Sequence, residues 1–226
     1  MMSNNNKVQK NPTQKEIECI LDLFNKSKLE DAKIEINKKI INYPHSPILF
    51  NILGAILAGQ NQLEKAIENY EKAINIDSNY AQAHNNLGIA LHKLHKNERA
   101  IESYKKAISL KSDFAEGYNN LGSIIKDLNK PLESLKYFEK ALKIKPDYPE
   151  VYNNLGSVYE NIGNTKKAIE NYEKAIEIKP DYAEVYNNLG MLFNELSRFD
   201  DALASYNKAI ELKPNYEKTY NNLGNL

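Results

Sequence analysis

The side chains of this chain with the greatest chemical reach are four histidines, one cysteine and a series of paired asparagines. His92 and His95 stand three residues apart and His84 lies two turns earlier, a helical spacing that could gather imidazoles around a metal. A zinc-type site needs three or four convergent ligands. His84 also falls in a column otherwise filled by Tyr118, Tyr152 and Tyr186, and His45 is remote. The histidines are therefore read as structural, and no metal is expected. Cys19 stands beside Ile20 and Leu23 on an apolar helix face, where core packing is expected of it rather than nucleophilic attack. No glycine-rich phosphate loop, nucleophile elbow or cleft-forming carboxylate pair is present, so no catalytic residue, no cofactor and no enzyme activity is expected. The amides remain. Asn-Asn-Leu-Gly occurs at Asn85, Asn119, Asn153, Asn187 and Asn221, with the variant Asn51-Ile52-Leu53-Gly54 one step before.

Every step between these tetrapeptides is 34 residues, so the elements that carry the amides must repeat with that period. Other columns keep the same step. Small residues recur at Ala66, Ala100, Ser134, Ala168 and Ala202, and aromatics follow at Tyr70, Tyr104, Phe138, Tyr172 and Tyr206. Alanines come next at Ala73, Ala107, Ala141, Ala175 and Ala209. Pro146, Pro180 and Pro214 break the chain late in each copy, and an aromatic closes it at Tyr80, Phe114, Tyr148, Tyr182 and Tyr216. Within one copy, Tyr152, Leu155, Gly156 and Tyr159 mark one helix face, and Ala168, Tyr172, Ala175 and Ile176 mark a second. Gly163 supplies the turn between them. Asp113, Asp147 and Asp181 each precede a Glu (Glu116, Glu150, Glu184) by three residues, the spacing of a capping box, so these Asp residues are expected to cap first helices. Close helix approach is expected where small residues face each other, with Gly156 against the region of Ala168. A hairpin with two apolar faces must stack on its neighbours to bury both.

Bulk composition agrees. The chain has 226 residues, with Lys plus Arg and Asp plus Glu both at 30, and only nine Gly and eight Pro. A neutral balance lacks the basic excess that general nucleic-acid or anionic-membrane binding requires. The 15 tyrosines follow the repeat columns and are read as core rather than as a platform for bases. A single cysteine excludes an intramolecular disulfide and fits a reducing compartment. No apolar run approaches the length of about 18 residues needed to cross a membrane, and no signal-peptide pattern follows Met1. A cytoplasmic protein is expected, with residues 1–12 as a disordered polar tail outside the register.

The 34-residue unit with its Leu-Gly, Ala, aromatic, Ala and Pro columns resembles the tetratricopeptide repeat (TPR) family. The resemblance runs over residues 13–226, as repeats 13–46, 47–80, 81–114, 115–148, 149–182 and 183–216, with a partial repeat at 217–226. The first is degenerate, with Ile20 at the Gly place and Cys19 at the Leu place, while Ala32 and Pro44 stay in register. The fold implied is all-α, a right-handed superhelical solenoid of antiparallel helix pairs. The last stretch stops inside a first helix without a polar cap, which leads us to expect a fragment of a longer chain.

The resemblance further implies that first helices line a concave groove. The second Asn of each tetrapeptide then forms a ladder, Asn86, Asn120, Asn154, Asn188 and Asn222, similar to that in the repeat domain of O-linked N-acetylglucosamine transferases. Two readings stand side by side: the amides grip the backbone of an extended peptide, or they bond neighbouring helices. The first Asn of each pair is placed at the groove margin. Chaperone-binding members of the family hold a C-terminal carboxylate with Lys, Asn and Arg, but those places here carry Asn119, Ser123, Ser157, Glu150 and Glu184. Glu150 and Glu184 would repel a carboxylate, so a neutral or basic extended ligand is expected at this groove. The function implied is a protein–protein interaction scaffold that binds a protein or peptide ligand, with no catalysis of its own. The alternative is the N-terminal, substrate-recruiting domain of a larger enzyme, a glycosyltransferase or another transferase or oxygenase. A third reading is self-association through the uncapped C-terminal end.

Overall fold

In a computed structural model of the chain, residues 11–226 are described. Most of the expected polar tail therefore lies outside the described residues. Among those described there are thirteen α-helices and no strand. The chain divides into two compact units, Met1–Ser112 and Asp113–Leu226. The first contains α1 (Gln14–Asn25), α2 (Leu29–Asn42), α3 (Pro47–Gly59), α4 (Leu63–Ile76), α5 (Ala81–Lys93) and α6 (Asn97–Leu110). The second contains α7 (Ala115–Asp127), α8 (Pro131–Ile144), α9 (Pro149–Asn161), α10 (Thr165–Ile178), α11 (Ala183–Glu195), α12 (Phe199–Leu212) and α13 (Glu217–Gly224). In each unit a helix packs on the next one in the chain, so α3 and α4 form a hairpin and α4 also supports α5, with the same pattern for α9, α10 and α11. None of the described helices is long and apolar enough to cross a membrane.

One local device makes the six hairpin turns. Ser27, Asn61, His95, Asn129, Gly163 and Ser197 all take a left-handed backbone, with φ between 57° and 74°. Around each, two bonds close the helix end: at α1, Ser27 N–H donates to the Phe24 carbonyl at 3.0 Å and Lys28 N–H to the Leu23 carbonyl at 2.9 Å. This pairing satisfies carbonyls that the helix end would otherwise leave open. Only one of the six is glycine. Asn, Ser and His accept the conformation at a cost that the repeated tertiary packing covers. His95 is thus a turn residue. Among the described residues no group of three His, Cys, Asp or Glu side chains is placed to hold a metal.

The first helices begin differently from the sequence expectation. Phe114, Tyr148 and Tyr182 occupy the N-cap positions of α7, α9 and α11, and none makes a side-chain capping bond. Asp113, Asp147 and Asp181 therefore stand one residue too early to cap. The closing aromatic, held by packing, decides where the helix starts. Glu116, Glu150 and Glu184 fall in the first turn, where the positive end of the helix dipole favours a carboxylate. A full capping box does form at α1, where Glu16 N–H donates to Thr13 Oγ1 at 3.3 Å and Thr13 N–H donates to Glu16 Oε2 at 2.8 Å.

Inside each hairpin the contact at the glycine also differs from expectation. A methyl group on Gly54 would meet the Tyr70 ring at 2.5 Å, one on Gly88 the Tyr104 ring at 2.6 Å, and one on Gly122 the Phe138 ring at 2.7 Å. Gly190 stands the same way to Tyr206, and Gly156 to Tyr172. The glycine seats an aromatic ring from the second helix; it does not face the small residue Ala168. The small column is fully buried all the same, at Ala66, Ala100, Ser134, Ala168 and Ala202. In the degenerate first hairpin Ile20 and Ile36 occupy the glycine and ring places, and both are fully buried. Two medium side chains replace a pair of none and large. Cys19 is exposed, against the expectation of core packing.

Candidate functional site

Adjacent residues on a helix point about 100° apart, so the two asparagines of each tetrapeptide cannot share an environment. The first is turned inward in every copy but the last: Asn51, Asn85, Asn153 and Asn187 are buried and Asn119 is half-buried, while Asn221 is exposed. The margin position expected for this residue is corrected to an interior one. The second is half-buried at Asn86, Asn120, Asn154, Asn188 and Asn222, with part of its amide at the surface.

The two columns are bonded to each other across repeats. In the first unit Asn86 Nδ2 donates to Asn51 Oδ1 at 2.9 Å. In the second, Asn154 Nδ2 donates to Asn119 Oδ1, Asn188 Nδ2 to Asn153 Oδ1 and Asn222 Nδ2 to Asn187 Oδ1, each at 3.0 Å. The buried amides are anchored further. Asn51 Nδ2 donates to the Tyr80 hydroxyl at 3.4 Å, and Asn119 and Asn153 bond the hydroxyls of Tyr148 and Tyr182. Thr219 Oγ1 donates to Asn187 Oδ1 at 2.9 Å. Asn86, Asn154, Asn188 and Asn222 therefore each use one N–H to join their repeat to the one before. The other N–H and the carbonyl of each stay available in part; Asn86 Oδ1 accepts from Gln82 at 3.1 Å and Asn154 Oδ1 from Lys126 at 3.1 Å.

Thr219 and the closing tyrosines Tyr80, Tyr148 and Tyr182 were not anticipated as members of this network. The signal for the latter was present: four of the five closing aromatics are Tyr, and only a hydroxyl can bond an amide. These rings are fixed on another side by cations, with Lys145 Nζ 4.3 Å from the Tyr148 centroid, Lys179 Nζ 4.7 Å from that of Tyr182 and Lys213 Nζ 4.4 Å from that of Tyr216.

Glu150 is half-buried and Glu184 exposed, on the first turns of α9 and α11. Both lie close to the tyrosine row. Burial pushes the Tyr148 hydroxyl up to about 12, with the charges of Glu116 and Glu150 adding to it. Burial does the same to Tyr182, also to about 12, helped by Glu184 and Glu150. Glu150 thus sits between two successive repeats. At the C-terminal ends of the first helices, the half-buried Glu160 accepts a hydrogen bond from the Tyr172 hydroxyl at 2.7 Å. Burial raises the Glu160 carboxyl above its ordinary range, partly opposed by that bond. Tyr172 itself is raised well beyond the usual phenol range, chiefly by burial. The face made by α7, α9, α11 and α13 is therefore a row of oriented amides flanked by carboxylates, with no nucleophile–base pair among its described residues.

Profiles described as TPR repeat and tetratricopeptide repeat match residues 54–95, 113–181, and both 81–114 and 183–216. The structure of MamA is 30% identical, with 74% of this chain aligned to 97% of that one and a TM-score of 0.61. This chain belongs to the tetratricopeptide repeat family. PilF of Pseudomonas aeruginosa shares the TPR fold, with a TM-score of 0.79 over 93% of this chain and 96% of that one at 21% identity. YrrB, a TPR protein described as having an unusual peptide-binding site, aligns at a TM-score of 0.59, covering 82% of this chain and 96% of its own, at 22% identity. Comparison with curated proteins yields no match. The TPR fold is that of a protein-interaction scaffold, and its ordered rows of side chains come from repetition of one hairpin.

Proposed function

We propose that this TPR chain binds an extended, neutral or basic peptide segment across the face of α7, α9, α11 and α13, through Asn120, Asn154, Asn188 and Asn222 with Glu150 and Glu184, and that Asn86 does the same on the first unit. The observation that carries this is the inter-repeat amide bond. A surface asparagine normally loses side-chain entropy when it binds. Here Asn154, Asn188 and Asn222 are already oriented by bonds of 3.0 Å to a buried partner. The two readings left open by the sequence are then compatible: one N–H holds the solenoid together, and the remaining donor and carbonyl meet a peptide backbone. The carboxylates set the sign of the ligand, since Glu116, Glu150 and Glu184 recur at one place of three successive repeats. A peptide site on a relative of the same fold, YrrB, supports the class of function.

The test is charge reversal away from the amides. Glu150→Lys with Glu184→Lys removes two attractive charges without cutting a bond between repeats. Affinity for a lysine-rich extended peptide should fall about tenfold or more, roughly 1.4 kcal/mol, while stability falls only by what the two lost first-turn carboxylates contribute, about 0.3–1 kcal/mol each. Unchanged affinity and salt dependence would refute the acidic-face reading. As a scaffold the chain acts by itself on no substrate; if it recruits substrates for a larger enzyme, this same face is the recruiting surface.

A further inference from the structure

A second feature lies in the first unit, away from the amide row. A cavity of about 310 Å³ opens between α4 and α6, with α5 as its floor. That volume is at the lower edge of the roughly 300–1,000 Å³ typical of ligand sites. Buried Leu87 and half-buried Ile74 and His84 form its base. His84 Nε2 lies 3.1 Å from the Ser78 carbonyl and donates to it, which leaves Nδ1 as an acceptor in the neutral ring.

His84 is the exception in its column. Phe50, Tyr118, Tyr152, Tyr186 and Tyr220 stand at the equivalent place of other repeats. Each of these repeats up to residue 216 also carries a lysine at one second-helix position: Lys72, Lys106, Lys140, Lys174 and Lys208. In the first repeat of the second unit that lysine attends the aromatic ring. Lys140 Nζ is 5.5 Å from the Tyr118 centroid. In the repeat of His84 the lysine, Lys106, is kept and the ring is not. Lys106 lines the open cavity. The rim is balanced in charge. Arg99 pairs with Glu71 at 2.9 Å, and Glu102 stands opposite Lys106 in sign, so a ligand of net charge gains nothing here.

We propose that this cavity receives a tyrosine side chain from a protein partner lying along α4 and α6, the incoming ring standing to Lys106 as the Tyr118 ring stands to Lys140. Leu87 and Ile74 pack its faces, the Lys106 ammonium attends its π-cloud, and the His84 Nδ1 or the Glu102 carboxylate accepts from its hydroxyl. This inference does not rest on the peptide face of the second unit and shares no residue with it.

The experiment follows backbone amide shifts of the ¹⁵N-labelled full chain. The probes are 4-methylphenol, which is the tyrosine side chain itself, cyclohexanol, and a short helical peptide bearing one tyrosine. Saturable shifts at Ile74, Leu87 and Ser103 are expected with 4-methylphenol and not with cyclohexanol, and the peptide should bind about tenfold or more tightly than 4-methylphenol through its added rim contacts. His84→Tyr should supply the ring in cis, raise the melting temperature and abolish the shifts. His84→Ala, which keeps the cavity open, should retain binding of the aromatic probe. Absence of saturable shifts, equal binding of cyclohexanol, or undiminished binding by the His84→Tyr chain overturns the proposal. A peptide no tighter than 4-methylphenol overturns the partner-segment half of it and leaves a small-molecule pocket.

Discussion

Replacing Gly156 by alanine should destabilise the second unit, although alanine is the better helix former. The helix-propensity term favours Ala over Gly by about 1 kcal/mol. Against it stands the ring of Tyr172, whose Cδ1 would lie 2.5 Å and Cγ 2.9 Å from the new methyl carbon. Ordinary contact begins near 3.5 Å, so the ring must retreat by about 1 Å. Tyr172 is 1% exposed and its hydroxyl is tied to Glu160 at 2.7 Å, so the ring has no free end to swing. Overpacking of this kind costs typically 1–3 kcal/mol, and a restrained ring belongs at the upper end. The net expectation is a loss of about 2 kcal/mol. Two other glycines calibrate the reasoning. A methyl on Gly224 meets nothing within 4 Å, so Gly224→Ala should be neutral or slightly stabilising. Gly163 also has open space around it but takes φ +74°, so Gly163→Ala should cost about 1 kcal/mol by backbone strain alone. Because repeat arrays need not unfold in one step, native-state hydrogen exchange is the suitable assay. Gly156→Ala should lower protection mostly in α9 and α10 and the helices they touch. Wild-type protection in Gly156→Ala, or equal losses from Gly224→Ala, would refute the ring-seat account.

Asn188→Ala leaves the buried Asn153 carbonyl without its donor and should cost about 1–3 kcal/mol; a melting temperature equal to wild type would show the inter-repeat bond to be incidental. Acid should loosen the first hairpin before the rest. Glu16 is held down at about 2, against an ordinary 4.5, first by its hydrogen bond from Lys39 and then by those from Thr13. A depressed carboxyl stabilises the fold above its unfolded pKa and loses that contribution as pH falls from about 4.5 through about 2, so α1 and α2 should gain exchange in that window, and Lys39→Gln should move the Glu16 titration upward on an NMR pH series. Glu160 has the opposite sign: burial raises it, so its ionisation opposes folding at neutral pH. Glu160→Gln should therefore melt higher than wild type at pH near 7 while losing that advantage in acid, and a lower melting point at both would contradict the burial argument. Exposed Cys19 should react with a thiol reagent in the native chain at a rate close to that in denaturant; strong native protection would restore the core reading of this residue.

Much of the molecule was legible along the chain because one period governs it. The step of 34 residues, the helical spacing of Tyr152, Leu155, Gly156 and Tyr159, and the breaks at the prolines are local patterns, and local patterns survive without tertiary information. Family, helix pairs and the amide columns follow from them. What sequence could not assign was which partner each column meets. Gly156 reads as a companion of Ala168, and only the antiparallel return of α10 brings the Tyr172 ring over it. Asn153 and Asn154 are the same residue type side by side, yet rotation of about 100° sends one into the interior and leaves the other at the surface. Asp147 has the spacing of a cap, but the packed ring of Tyr148 takes the N-cap position instead. Ser27, Asn61 and His95 carry no turn signature as strong as Gly163, and the hairpin imposes the same left-handed backbone on all of them. Spacing names the face of a helix; only the stacking of helices decides what that face touches.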